Sequence, residues 1–171
     1  MDEALSRQAQ KIDEYRKRTG PYRKTISGQS FVVLPGVFPG GTDTALLCDT
    51  IKVHPGERVL DLCTGTGAVA IVAAQIPDTV VIGTDISPHA IKNANRNRTE
   101  FGLSNLSFRI ADVYPEHEPP FNVITINPPY TDNEAPDIIA SCFWDKDNRV
   151  MKTFFAGLRD HLAPGGRAYM T

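Results

Sequence analysis

The sequence predicts an α/β fold: a doubly wound, mostly parallel sheet with helices on both faces. Three observations predict it. From Arg58 onward, short apolar runs alternate with helical patterns at a spacing of 20 to 30 residues, and strands alternating with helices close into a parallel sheet covered on both sides. One such run, Val59 to Leu62, carries an acid and breaks into the glycine loop Cys63-Thr-Gly-Thr-Gly67. Another, Phe121 to Ile126, ends in Asn127-Pro-Pro-Tyr130. Ligands of parallel sheets bind just outside the carboxyl ends of the strands, so both motifs are expected on one rim.

The elements follow in order. Residues 3–18 read as a polar helix stopped by Gly20-Pro21, and Lys11, Arg16, Lys17, Arg18, Arg23 and Lys24 make this the most basic part of the chain. It reads either as a solvated helix face or as an arm that contacts RNA or a substrate. Short β-prone pieces fill residues 22–38, including Ser30 to Leu34, before the turn signals Pro35-Gly36 and Pro39-Gly40-Gly41. Thr42 or Asp43 can cap a helix bearing Leu46, Leu47 and Ile51, which ends before Pro55-Gly56. Then come a strand at Arg58–Leu62, a helix at Ala68–Gln75 and a strand at Thr79–Thr84. Ser87 caps the next helix with Pro88 in its first turn, and Gly102 suits its left-handed end after Phe101. Strands follow at Leu106–Ile110 and Phe121–Ile126. The 17 residues from Thr131 to Asp147 show no periodicity, and loops that long are usually lids or binding loops. Val150, Met151, Phe154, Phe155, Leu158 and Leu162 form a helical stripe, and Pro164-Gly165-Gly166 turns the chain into a last strand from Arg167. That strand leaves a bare edge, so more chain is expected beyond Thr171. The expected organisation is a lead-in helix and segment over residues 1–30 and one domain over 31–171.

Composition narrows the classes. A chain of 171 residues buries roughly 70% of the surface it exposes when unfolded, enough for one core. The net charge of -2 gives no global field for nucleic acid or an acidic membrane. Cys48, Cys63 and Cys142 are odd in number and irregularly spaced, which fits a reducing compartment and neither a disulfide framework nor a metal site. No apolar run approaches the eighteen or so residues that span a bilayer, and the first residues lack the apolar core of a secretory signal. A cytoplasmic protein without a membrane segment is expected.

The glycine loop raises the question of its ligand. Gly65-Thr-Gly67-Ala-Val-Ala70 satisfies a dinucleotide pattern, with Asp85 about 20 residues on. Asp61 argues against a dinucleotide. It sits four residues before Gly65 and would face the ligand, and like charges about 4 Å apart cost roughly 1–4 kcal/mol in wet or partly wet surroundings. S-adenosylmethionine carries no phosphate; its ammonium and sulfonium welcome an acid, directly or through water. The glycines let backbone approach closely. Asp85 can accept both ribose hydroxyls, and Asp112, with the Val113 backbone beside it, has the right type for an adenine amino group. Capping or loop roles are the plain alternatives for all three acids.

Asn127-Pro-Pro-Tyr130 suits a planar nitrogen acceptor. The lone pair of an amide or aryl amine is delocalised, so the nitrogen has to be positioned before it can attack a methyl group. The side-chain oxygen of Asn127 and the carbonyl of Pro128 can each accept one N–H, leaving the lone pair aimed at the methyl. The prolines stiffen the loop, and Tyr130 offers a flat face to the acceptor. The plain alternative is an ordinary turn at the end of a strand.

Asp61-Leu-Cys-Thr-Gly-Thr-Gly67, Gly83-Thr-Asp85-Ile-Ser87, Ala111-Asp112-Val113 and Asn127-Pro-Pro-Tyr130 resemble the successive motifs of class I S-adenosylmethionine-dependent N-methyltransferases. The branch resembled holds the release factor glutamine methyltransferases and the small methyltransferase domain enzymes acting on ribosomal or transfer RNA. The likeness runs over about residues 34 to 171 and extends to Pro39-Gly-Gly-Thr-Asp-Thr44, Trp144-Asp-Lys-Asp-Asn148 and Leu162-Ala-Pro-Gly-Gly166. It implies a Rossmann-like methyltransferase sheet with two further C-terminal strands, S-adenosyl-L-methionine as cofactor, and Thr44 near its methionine end. Cys63 stands where the family carries glycine, and a single short helix stands where the bacterial release factor enzymes carry an N-terminal docking domain.

The expected cofactor residues are therefore Thr44, Asp61, Cys63, Thr64, Gly65, Gly67, Asp85, Ile86, Asp112, Val113 and Asn127; the expected acceptor residues are Asn127, Pro128 and Tyr130. No metal is expected. The acceptor is a protein glutamine or another planar nitrogen, with a base of RNA or DNA, then a small-molecule amine, as alternatives. A non-catalytic module that keeps the pocket is the alternative from another class.

Overall fold

The computed structural model describes residues 3–171. Its element order is α1 (Glu3–Arg16), β1 (Tyr22–Ile26), β2 (Gln29–Val33), α2 (Thr42–Thr50), β3 (Arg58–Leu62), α3 (Ala68–Ala74), β4 (Val80–Asp85), α4 (Pro88–Glu100), β5 (Leu106–Ile110), β6 (Phe121–Ile126), α5 (Arg149–His161) and β7 (Leu162–Met170). Five strands form one sheet in the order β5-β4-β3-β6-β7, every pair parallel. The chain winds outward from β3 to β5, returns to the middle and winds outward again through β6 to β7. The doubly wound reading holds.

Alternation along the central strands divides the core in two. Val59, Val81 and Val123 point to the face covered by α2, α3 and α4. Leu60, Leu62, Ile82, Ile124 and Ile126 point to the other, where Phe154 of α5 packs. Both faces of β3 and β6 are thus buried, as their near-continuous apolar sequence requires.

Three local expectations are corrected. Gly41, not Thr42 or Asp43, is the N-cap of α2. The last strand begins at Leu162 rather than Arg167: Leu162 pairs with Phe121, Arg167 pairs with Val123, and the Pro-Gly-Gly segment is a bulge between them. The basic helix is not simply a solvated face. Ile12 is buried, and α1 lies on the long loop after β6, where Gln8 Nε2 donates to Thr131 Oγ1 at 2.8 Å and Trp144 Nε1 donates to Gln8 Oε1 at 2.9 Å. That loop contains two short 3-10 turns, at 140–142 and 146–148.

The β1–β2 hairpin turns through Ser27 and Gly28, both left-handed, as its two-residue loop demands. It is tied to the rest by two asparagines of α4 with no exposed surface. Asn97 Oδ1 accepts from Val32 N at 2.9 Å while its Nδ2 donates to Thr66 O at 2.9 Å, and Asn93 Oδ1 accepts from Leu34 N at 2.7 Å. These bonds bring the segment after β2 against the glycine loop. Among the described residues no helix is long and apolar enough to cross a membrane.

Candidate active site

The switch in winding falls between β3 and β6, which pair directly, Leu62 beside Ile126. The glycine loop leaves β3 there and Asn127 leaves β6. Asp85 ends β4, the neighbour of β3 on the other side. Three motifs far apart in sequence therefore meet on one rim, at the place where such sheets hold ligands. The rim opens into a cavity of about 1090 Å³ whose wall includes Cys63, Gly65, Asp85, Asp112, Asn127 and Tyr130, with Ile86, Val113 and Pro128 also on it.

The glycine loop is held by backbone bonds, Thr64 N to Thr84 O at 2.9 Å and Gly67 N to Thr64 O at 2.8 Å. Cys63, Gly65 and Gly67 all have positive φ, at 54°, 53° and 83°. At Gly67 a β-carbon would also stand 2.8 Å from the Phe108 ring and 3.1 Å from Ala94, so no larger residue fits. Cys63 takes the left-handed conformation that glycine adopts without penalty. Burial pushes its thiol pKa well up, which keeps the sulfur protonated and poorly nucleophilic.

Asp61 is not where the sequence reading put it. It is 2% exposed, lies behind the loop rather than on the cavity wall, and uses both oxygens internally. Thr64 Oγ1 donates to Oδ2 at 2.6 Å and Thr125 Oγ1 donates to Oδ1 at 2.8 Å. The sequence reading had Asp61 meet the ligand directly or through water; the carboxylate is instead held just under the loop, off the cavity wall. Burial, joined by a smaller push from nearby Asp85, raises its pKa to about 6 against the lowering effect of the two threonines and the Ala70 backbone N–H. Thr64 and Gly67 likewise support the loop from behind.

Asp85 is on the wall. Its Oδ2 accepts from Gly65 N at 3.0 Å and its Oδ1 from Ser87 N at 2.9 Å, which leaves lone pairs on both oxygens for a diol. Burial raises its pKa, with these backbone donors opposing. Ser87 caps α4 as expected, accepting from Ala90 N at 3.3 Å.

Asp112 is exposed, and both its oxygens meet Arg149 Nη1, at 2.9 and 2.8 Å. Arg149 was not singled out from the sequence; it stands at the start of α5, 37 residues away. Val113 is buried at φ 69°, a costly conformation for a β-branched residue, and its carbonyl accepts from Thr84 Oγ1 at 2.7 Å. That bond holds the backbone turn that lines the cavity.

The Asn127 side chain is held at both ends. Nδ2 donates to Thr44 Oγ1 at 2.9 Å, and Oδ1 accepts from the Tyr130 hydroxyl. The Tyr130 hydroxyl also pairs with Thr171 Oγ1 at 2.9 Å, and the residue is 46% exposed. Thr44 is not on the cavity wall. The sequence reading missed the aromatic side of the cavity: Tyr15 of α1 stacks on Phe143 at 5.8 Å, and Phe38 meets the same ring edge-on at 5.4 Å. The long aperiodic loop was the signal for this wall; its partners were not legible.

Residues 28–171 match the family described as methyltransferase small domain. A Methanocaldococcus jannaschii protein provisionally named a protein N5-glutamine methyltransferase is 30% identical over 147 residues, which span 82% of this chain and 74% of that one. The release factor glutamine methyltransferase of Neisseria gonorrhoeae is 32% identical over 157 residues, 81% of this chain and 56% of that one. In fold, the chain is similar to a Thermus thermophilus 16S ribosomal RNA N2-guanine methyltransferase solved with S-adenosylmethionine and guanosine, at a TM-score of 0.66 and 22% identity, covering 88% of this chain and 41% of that one. The chain therefore belongs to the methyltransferase small domain family of S-adenosylmethionine-dependent enzymes.

Proposed function

We propose that this domain transfers the methyl group of S-adenosylmethionine to a planar amide nitrogen, with the side chain of a protein glutamine as acceptor. One observation carries the reading. The Asn127 amide is clamped by Thr44 and Tyr130 at the mouth of the cavity that also holds Asp85 and the glycine loop.

The residues present fit the cofactor. Asp85 has lone pairs left for the ribose hydroxyls, Gly65 presents bare backbone, and Asp61 and Asp85 supply negative charge beside a cation. Asp112 and Val113 line the part of the cavity suited to the adenine. When bound, the cofactor supplies an electrophilic methyl on a sulfonium. Asn127 Oδ1 has one lone pair engaged by Tyr130 and a second to accept an acceptor N–H; the Pro128 carbonyl is the second acceptor. Held this way, the nitrogen forms its bond to carbon as the carbon–sulfur bond breaks, and the surplus proton leaves to solvent afterwards. Holding the nitrogen in a near-attack position is the main contribution asked of the protein.

Charge supports a protein acceptor over a nucleic acid. Among the described residues on the cavity wall, seven side chains are acidic and four basic, a poor approach for a polyanion. A nucleic-acid base is the second reading, supported by Lys11 and Lys24 on that wall. We also place the protein in the cytoplasm.

The test has two stages. Calorimetric titration is expected to show S-adenosylmethionine and its demethylated product binding more tightly than NAD. With methyl-labelled cofactor, label is expected in a glutamine-containing peptide. Label entering RNA alone, with affinity falling steeply with salt, would move the acceptor to a base. Cofactor that binds but is never turned over with any acceptor would leave a binding module.

A further inference from the structure

Thr44 is expected from its resemblance to lie at the methionine end of the cofactor, yet its hydroxyl faces another way. Its Oγ1 accepts from Gly41 N at 3.2 Å and from Asn127 Nδ2 at 2.9 Å. Thr44 as a whole is 7% exposed. The cavity wall runs through its neighbours Thr42 and Asp43 and leaves Thr44 behind. Its position is fixed from one side by the first turn of α2 and from the other by the amide it holds.

The consequence lies in the torsion of Asn127. The last side-chain torsion of asparagine is broad, with no sharp staggered wells, so hydrogen bonds set the plane of the amide. Here Thr44 takes one end and the Tyr130 hydroxyl the other. Tyr130 is 46% exposed and sits on a loop; Thr44 is buried on a helix and is the rigid end of the pair. We propose that Thr44 is a positioning residue for methyl transfer: it locks the Asn127 amide plane, so that Oδ1 meets the acceptor nitrogen, and makes no contact with the cofactor. This rests on the reading of Asn127 as the acceptor clamp.

Thr44→Val keeps the shape and removes the hydroxyl; Thr44→Ser keeps the hydroxyl. Each is compared with the unaltered protein in three measurements: turnover of a glutamine-containing peptide with methyl-labelled cofactor, calorimetric affinity for S-adenosylhomocysteine, and water exchange of the Asn127 side-chain amide protons by nuclear magnetic resonance. Thr44→Val is expected to lower kcat about 10–100-fold, the scale of a misplaced reacting group. Its affinity for S-adenosylhomocysteine should be unchanged and its Asn127 amide should exchange faster. Thr44→Ser should restore both rate and protection. Normal kcat with weakened S-adenosylhomocysteine binding would make Thr44 a cofactor ligand and overturn the proposal. So would a serine variant as slow as the valine one, because the hydroxyl would then not be the agent. If the unaltered protein binds S-adenosylhomocysteine but methylates no peptide, the acceptor reading fails by itself. The exchange measurement still decides on Thr44, and unchanged exchange in Thr44→Val refutes the hold.

Discussion

Asn127, just past the end of β6, and Asp61, inside neighbouring β3, show how differently two polar residues are placed. Asn127 reaches the cavity and its side chain hydrogen-bonds to Thr44 and Tyr130 rather than to the acids around it, so Asn127→Ala should spare cofactor affinity and cut turnover by about 10²–10³, the usual loss for one positioned polar group. The check is kcat at saturating cofactor with the melting temperature taken on the same sample; a turn-forming role alone would lower the melting temperature and leave kcat per folded molecule intact. Asp61 is sealed behind the loop, with its pKa raised to about 6 by burial. A raised folded value means the protonated form is favoured in the fold, and that stabilisation is lost as pH rises through about 6. A cationic ligand nearby favours the charged form, so binding should expel a proton and tighten between about pH 5 and 7. Calorimetry at pH near 6 in buffers of unlike ionisation enthalpy reads the proton directly. Asp61→Asn should abolish the release; release that persists would point to Asp85, which burial also raises.

At the scale of elements, packing behind the loop matters as much as the loop. A β-carbon on Gly83 of β4 would stand 2.5 Å from two ring carbons of Phe108 and 2.9 Å from Thr64 Oγ1, the group that donates to Asp61. Gly83→Ala should therefore cost about 1–3 kcal/mol, the scale of overpacking, read from the urea midpoint. It should also weaken cofactor binding, because Phe108 and Thr64 have to move. On the other side of the cavity, Gln8 joins α1 to both ends of the long loop through Thr131 and Trp144, and Arg16 adds an ion pair to Asp137 at 2.6 Å. Gln8→Ala leaves the Trp144 indole N–H without its partner. Faster backbone hydrogen exchange over residues 137–144 is expected, with a higher KM for the acceptor and unchanged cofactor affinity. Unaltered exchange would mean that the Tyr15–Phe143 stack carries the docking.

At the scale of the molecule, the site is a product of winding order. Placing β3 between β4 and β6 puts Asp85, the glycine loop and Asn127 side by side at the carboxyl ends of three adjacent strands. Much of this was legible. The strands Arg58–Leu62, Leu106–Ile110 and Phe121–Ile126 lie where their apolar runs end. Ser87 and Gly102 punctuate α4 as their chemistry requires. These features depend on neighbours within a turn or a strand, and the sequence holds all of that information. The strand-end rule then carried Asp85, Asp112 and Asn127 to one cavity without knowledge of any contact. What stayed hidden were the partners of polar side chains: Thr44 with Asn127 across 83 residues, Arg149 with Asp112 across 37, and Gln8 with Trp144 across 136. It was equally hidden that Asp61 turns inward to two threonines. The sequence alone determined the elements, their alternation and the rim on which the chemistry sits, because periodicity and turn chemistry act over a few residues. Only the tertiary structure decided which acid lines the cavity and which hydroxyl holds the asparagine, because a polar side chain bonds whatever donor or acceptor the folded backbone brings within about 3 Å.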